Sequence, residues 1–115
     1  MSLTNENNEL NENTSVLVPN YANIYVKLAY TCTTNNYNID TNVSVSDFIQ
    51  NIKNSVYNDP IFNISTNIPI EIVESGQGTK NTRAEDAPAL IESDEIVSNK
   101  YKRIPAFYVR ICNNS

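Results

Sequence analysis

Histidine and tryptophan are missing altogether from this chain of 115 residues, and glycine, cysteine and methionine nearly so, at two, two and one. Each absence excludes something. Without histidine the chain lacks the commonest general base and the commonest metal ligand. Both glycines, Gly76 and Gly78, stand in one stretch, and a phosphate-cradling loop needs more of them, spaced differently. Two cysteines are too few for a disulfide scaffold. Cys32 and Cys112 read as small, partly buried thiols of a reducing compartment, and a cysteine nucleophile would have no imidazole beside it. No apolar run approaches the roughly 20 residues of a membrane span. The opening Met1-Ser2-Leu3-Thr4-Asn5-Glu6 has neither the basic nor the apolar part of a secretory signal. The expected location is therefore cytoplasm or a virion, not the secreted space. Cations are few: 8 Lys and Arg against 13 Asp and Glu, a net charge of -5. That balance excludes non-specific nucleic-acid binding and docking on anionic membranes.

Asparagine, by contrast, fills roughly one position in six, against an ordinary few per cent. It is spread through the whole chain and reads as the compositional bias of an AT-rich genome, such as that of a protist or a large DNA virus of protists. The Asn-x-Ser/Thr triplets at Asn13, Asn42, Asn63 and Asn113 read as chance products of the same bias. Residues 1–20 carry Asn, Glu, Ser and Thr and too little apolar surface to offset their ordering entropy. They read as a flexible tail in which Val16-Leu17-Val18 could dock on a sheet edge or a partner. One domain is expected over 21–112, with a short tail at 113–115.

Within the domain the apolar periodicity changes twice. Ile24, Val26, Leu28 and Tyr30 alternate over Asn23–Thr31, with Tyr25, Lys27 and Ala29 opposite. A second alternation runs over Tyr37–Val43, and Thr33–Asn36 reads as the turn between, because Asn tolerates left-handed backbone. A helix is expected over Asp47–Tyr57. Ser46 is its predicted N-cap, Asp47 suits the positive end of its dipole, and Phe48, Ile49, Ile52 and Val56 form its apolar stripe. Pro60 ends it. Ile68, Ile70 and Ile72 predict a third strand, which Pro69 delays or confines to an edge. Ser75–Asp86 reads as a polar loop. Ala87–Leu90 and Glu95–Ser98 read as short pieces of strand or turn. Ala106–Ile111 predicts the last strand, with Phe107, Val109 and Ile111 inward and Tyr108 and Arg110 outward. One helix across a sheet is the simplest way to bury both apolar surfaces.

The order of these pieces resembles a ubiquitin-like, β-grasp domain. Ile24-Tyr25-Val26-Lys27, a turn and a strand, then Val45-Ser46-Asp47-Phe48-Ile49 are similar to the family's opening hairpin and helix. Ile70-Glu71-Ile72-Val73 with Gly76-Gln77-Gly78, Glu85-Asp86 before Leu90, and Phe107-Tyr108-Val109-Arg110 are similar to its later strands. The resemblance covers about Asn23–Cys112. It implies an α+β fold: a mixed sheet of four to five strands, the first and last parallel and central, with one helix across one face. It implies a protein partner on the sheet's open face, around Ile72, Val73, Tyr108 and Arg110. It would also bring Cys32 and Cys112 to the ends of adjacent strands about 4.8 Å apart, within reach of a disulfide. The terminal Cys112-Asn113-Asn114-Ser115 departs from the glycine pair of conjugated modifiers, so covalent tagging is not expected.

Other chemistry is weakly signalled. Glu92-Ser93-Asp94-Glu95 is the densest group of hard-metal ligands, but it lacks the spacing and glycine of a calcium loop. Lys100-Tyr101-Lys102-Arg103 interleaves cations with an aromatic, as base-stacking surfaces do, against an acidic background. No catalytic residue, metal site or cofactor is expected. Two functions fit: a non-enzymatic ubiquitin-like protein-binding module, or a structural component of a larger assembly such as the virion of a large DNA virus. In the second, the N-terminal tail would contact neighbours.

Overall fold

A computed structural model describes residues 18–112. The tails at 1–17 and 113–115, with Val16 and Leu17, lie outside them. The elements are β1 (Tyr21–Leu28), β2 (Thr34–Asp40), α1 (Val45–Tyr57), β3 (Ile70–Glu74), a 3-10 turn (Ala84–Asp86), the short α2 (Val97–Lys100) and β4 (Phe107–Ile111). The strands form one sheet in the order β2-β1-β4-β3. β1 and β2 are an antiparallel hairpin, β3 and β4 are antiparallel, and β1 and β4 run parallel at the centre, with Val26 beside Phe107 and Leu28 beside Val109. This is an α+β fold with a mixed four-stranded sheet and one main helix packed on it, an arrangement compatible with a β-grasp.

The core lies between α1 and one sheet face. Phe48, Ile49, Ile52 and Val56 are buried as their spacing predicts, and Val45 joins them at the first helical position. Opposite stand Ile24, Val26, Ile39, Ile70, Ile72, Phe107 and Val109. The Phe48 ring meets Phe107 edge-on, centroids 5.5 Å apart, the geometry favoured by the ring quadrupoles. Each such side chain contributes about 1.5–3 kcal/mol on burial. The N-cap is Ser44, not Ser46: its Oγ accepts from the Asp47 N–H at 3.1 Å. Ser46 already lies inside the helix and its hydroxyl donates to the Ser93 carbonyl.

The hairpin differs from expectation in its turn. β1 ends at Leu28, and Thr33–Asn36 is not the turn, because β2 already begins at Thr34. Thr31 makes the reversal instead: its hydroxyl donates to the Leu28 carbonyl at 2.7 Å and accepts from the Thr33 N–H at 3.0 Å. A threonine can close a turn this way as well as an asparagine can. Tyr30 is then not an inward strand residue. It sits in the turn with φ 67°, a conformation costly for a bulky residue.

The segment from Ser75 to Lys100 also departs from the reading. Gly76 takes φ 89° on leaving β3. Beyond it the expected polar loop ends in the 3-10 turn, and the piece read as strand or turn at Glu95–Ser98 makes one isolated bridge, Ile96 to Ser44, before α2 begins at Val97. Ile68 is partly exposed and precedes β3, and Ile111 is exposed rather than inward. Glu92–Glu95 has a structural task. Its backbone accepts the first helical N–H groups of α1, Val45 to Glu95 and Ser46 to Ser93, and so satisfies donors that every helix leaves over. Among the described residues no three acidic or thiol side chains converge to hold a metal ion, and no helix is long and apolar enough to cross a membrane.

Candidate protein-binding face

Alternation along the strands decides what the sheet's second face shows. β1 turns Tyr21, Asn23, Tyr25 and Lys27 outward; β2 adds Thr34, Asn36 and Asn38, and β4 adds Tyr108 and Arg110. Half of this face is not open. Residues 83–90 cross beneath β4 and β3 as a strap, and β3 is capped at its outer edge where the Leu90 N–H donates to the Ile72 carbonyl at 2.7 Å. Val73, on the strapped side, is 0% exposed and Ala87 1%.

The strap is held by charge. Glu85 is nearly buried. Its Oε2 accepts the Tyr30 backbone N–H at 2.6 Å and lies 3.6 Å from Lys27 Nζ; its Oε1 accepts from Arg83 Nη2 at 3.0 Å. Those bonds favour the ionised form, the Tyr30 N–H most, and hold the carboxyl below its ordinary 4.5. Arg110 completes the fastening. Its Nη1 donates to the carbonyls of Glu85 at 2.9 Å and Ala87 at 2.6 Å, and its Nε to Glu71 Oε2 at 2.5 Å. The Tyr30 hydroxyl donates to Asp86 and to the Glu85 carbonyl. The strained turn at Tyr30 and the strap therefore support each other.

Of the four residues expected at a partner surface, the structure places two elsewhere. Ile72 points at the helix and is 2% exposed. Val73 has the expected side but lies under the strap. Arg110 faces outward as expected, yet its guanidinium is committed to the strap. Tyr108 lines open space with no tie to the strap. It borders a hollow of about 330 Å³ with Tyr25, Lys27, Thr34, Ser75 and Ala106. Lys27 Nζ stands 5.7 Å from the centre of the Tyr108 ring, close enough for a cation–π contact. Tyr25 is 57% exposed. The alternation of β1 had already put Tyr25 and Lys27 on this face; nothing in the sequence signalled that a distant loop would cover Val73.

The remaining candidates are absorbed by the fold. Tyr101 is no stacking platform: its ring packs edge-on against Phe107 at 6.3 Å and its hydroxyl donates to Glu74 Oε1 at 2.5 Å. Burial and that carboxylate raise its pKa above the ordinary 10.0. Tyr37 is raised likewise by burial and by Asp59, to which its hydroxyl donates at 2.6 Å. Cys32 and Cys112 are both free, Cys32 exposed in the hairpin turn and Cys112 half-buried. Burial raises the pKa of the Cys112 thiol, which lowers its reactivity. Comparison with known proteins finds no family model, no curated protein and no solved structure that matches this chain.

Proposed function

We propose that this chain is a non-enzymatic protein-binding module of ubiquitin-like shape, and that its contact surface is the unstrapped half of the outward sheet face. One observation carries the reading. The hollow between Tyr25, Lys27 and Tyr108 offers aromatic area and one cation on a rigid sheet, the composition of a surface that receives a partner's apolar side chain. Beyond Lys27, the charged groups beside it, Arg83 with Glu85 and Arg110 with Glu71, are spent on one another, which leaves them poorly placed to act on a substrate. The partner is a protein; neither nucleic acid nor membrane suits a charge of -5.

The test is capture on immobilised chain. Tyr25→Ala with Tyr108→Ala should release most of the bound partner while far-UV circular dichroism stays unchanged. Equal capture by the double variant refutes the reading. Arg110 is unsuitable for this experiment, because its loss unfastens the strap. The second reading, a structural component of a larger assembly such as a virion, is favoured by exposed Tyr21 and by the outer edge of β2, which no strand among the described residues covers.

A further inference from the structure

β2 is the outermost strand on its side of the sheet, and among the described residues no strand pairs with its outer edge. The bonds from Leu28 N–H to the Thr33 carbonyl and from Thr41 N–H to the Asn20 carbonyl fix which of its residues face β1. Those are the odd-numbered ones. In an antiparallel ladder the residues between them turn N–H and C=O away, so the outward groups belong to Thr34, Asn36, Asn38 and Asp40. Natural sheet edges are defended by proline, lysine, a bulge or a covering segment. β3 has such a cover at Leu90. β2, Thr34-Asn35-Asn36-Tyr37-Asn38-Ile39-Asp40, has no proline, lysine or bulge of its own and no cover among the described residues, and its register with β1 is unbroken from Asp40 to Thr34.

We propose that β2 pairs with β2 of a second copy of this chain, antiparallel, about a two-fold axis at Tyr37. This register gives all four outward residues a partner: Thr34 meets Asp40 of the second copy, and Asn36 meets Asn38. Sliding either way by two residues leaves one of them overhanging. The register also suits the charges. The only ionised residue of the strand, Asp40, falls opposite a neutral threonine, so two chains of charge -5 meet where neither places a charge against its like. The Asn36 N–H, which donates to Asn35 Oδ1 at 2.9 Å in the single chain, changes partner. On the helix side, a hollow of about 400 Å³ beside Ile39, Asn51 and Asn54 adjoins this edge; the second copy's Asn35, whose amide donates to its own Asp59 at 2.6 Å, stands opposite Ile39. The contact is isologous, the commonest form of dimer. It is independent of Tyr25 and Tyr108.

Sedimentation of the full chain over a range of concentrations tests this. A dimer is expected. Asn38→Pro should give a monomer with unchanged circular dichroism, because the lost N–H points away from β1 and edge strands accept proline there. Asn36→Lys with Asn38→Lys should weaken the dimer about tenfold or more, and Asn36→Lys with Asn38→Glu should restore it, since the two positions face each other across the axis. A native chain that stays monomeric overturns the proposal. If its Asn38 amide is then protected from hydrogen exchange, residues 1–17 cover the edge; if it exchanges freely, the edge is left to a foreign strand. A dimer indifferent to these variants overturns it equally.

Discussion

Replacing Val73 by alanine separates a covered sheet face from an open one. The structure puts this side chain on the outward face and yet at 0% exposure, under residues 83–90. The change removes two methyl groups, worth about 1.6 kcal/mol in transfer from water at about 0.8 kcal/mol each. The strap is tied at Glu85, Ala87 and Leu90, so it cannot collapse freely onto the gap, and the cavity adds on the order of 1 kcal/mol. The expected loss is about 2–3 kcal/mol. On an open sheet face the same change costs under about 1 kcal/mol. Urea unfolding followed by circular dichroism reads the difference. With a slope of about 1–1.5 kcal/mol per molar, the midpoint should fall by about 2 M at constant slope. A fall below about 0.5 M would mean that nothing covers Val73, and the account of the strap would be wrong. Adding Glu85→Ala should shrink the cost of Val73→Ala, because a loosened strap has already given up part of its packing.

Two further outcomes follow from the same geometry. The Glu85 carboxyl is held below its ordinary 4.5 in the folded chain, so its contribution to stability is fully present above that value and fades as pH falls through the lowered one; Glu85→Gln should flatten the acid limb of the urea midpoint below pH 4.5, and an unaltered limb would remove Glu85 from the cause. Ser44→Ala should cost about 1 kcal/mol as a lost N-cap, more than Ser46→Ala in the same unfolding assay, and the reverse order would return the cap to Ser46.

Much of the fold was legible in the sequence because it rests on local periodicity. Ile24 and Val26, Phe48 to Val56, and Phe107 and Val109 declare their buried sides by spacing alone. The parallel pairing of β1 with β4 was reached by resemblance, and β1 does lie beside β4. Of the readings that failed, three did so for different physical reasons. The hairpin turn was misplaced because a threonine hydroxyl, not an asparagine, closes it. The cap was misplaced by two residues because a second serine stands at 44, and it is Ser44, in extended backbone, whose hydroxyl takes the Asp47 N–H. Ile72 and Val73 were misread as a surface for the largest reason. Ile72 fell on the other side by strand register, where one residue exchanges faces. Val73 was hidden by a loop whose attachment runs through Glu85, Arg110 and Tyr30, residues far apart in sequence with no pattern linking them. Of the expected surface only Tyr108 remains free, joined by Tyr25 and Lys27.

The central parallel pair has a consequence for synthesis. Its two strands come from opposite ends of the domain, and β4 is the neighbour of both β1 and β3. A nascent chain that has emerged only as far as α2 owns a hairpin and a helix but lacks the strand between β1 and β3, so Ile24, Val26 and Ile72 have no completed wall to meet. Long-range closures of this kind come late and slowly. The domain must therefore wait for the ribosome to deliver Phe107–Ile111 before its interior can shut, and until then its aliphatic residues depend on whatever shelters polypeptides during translation.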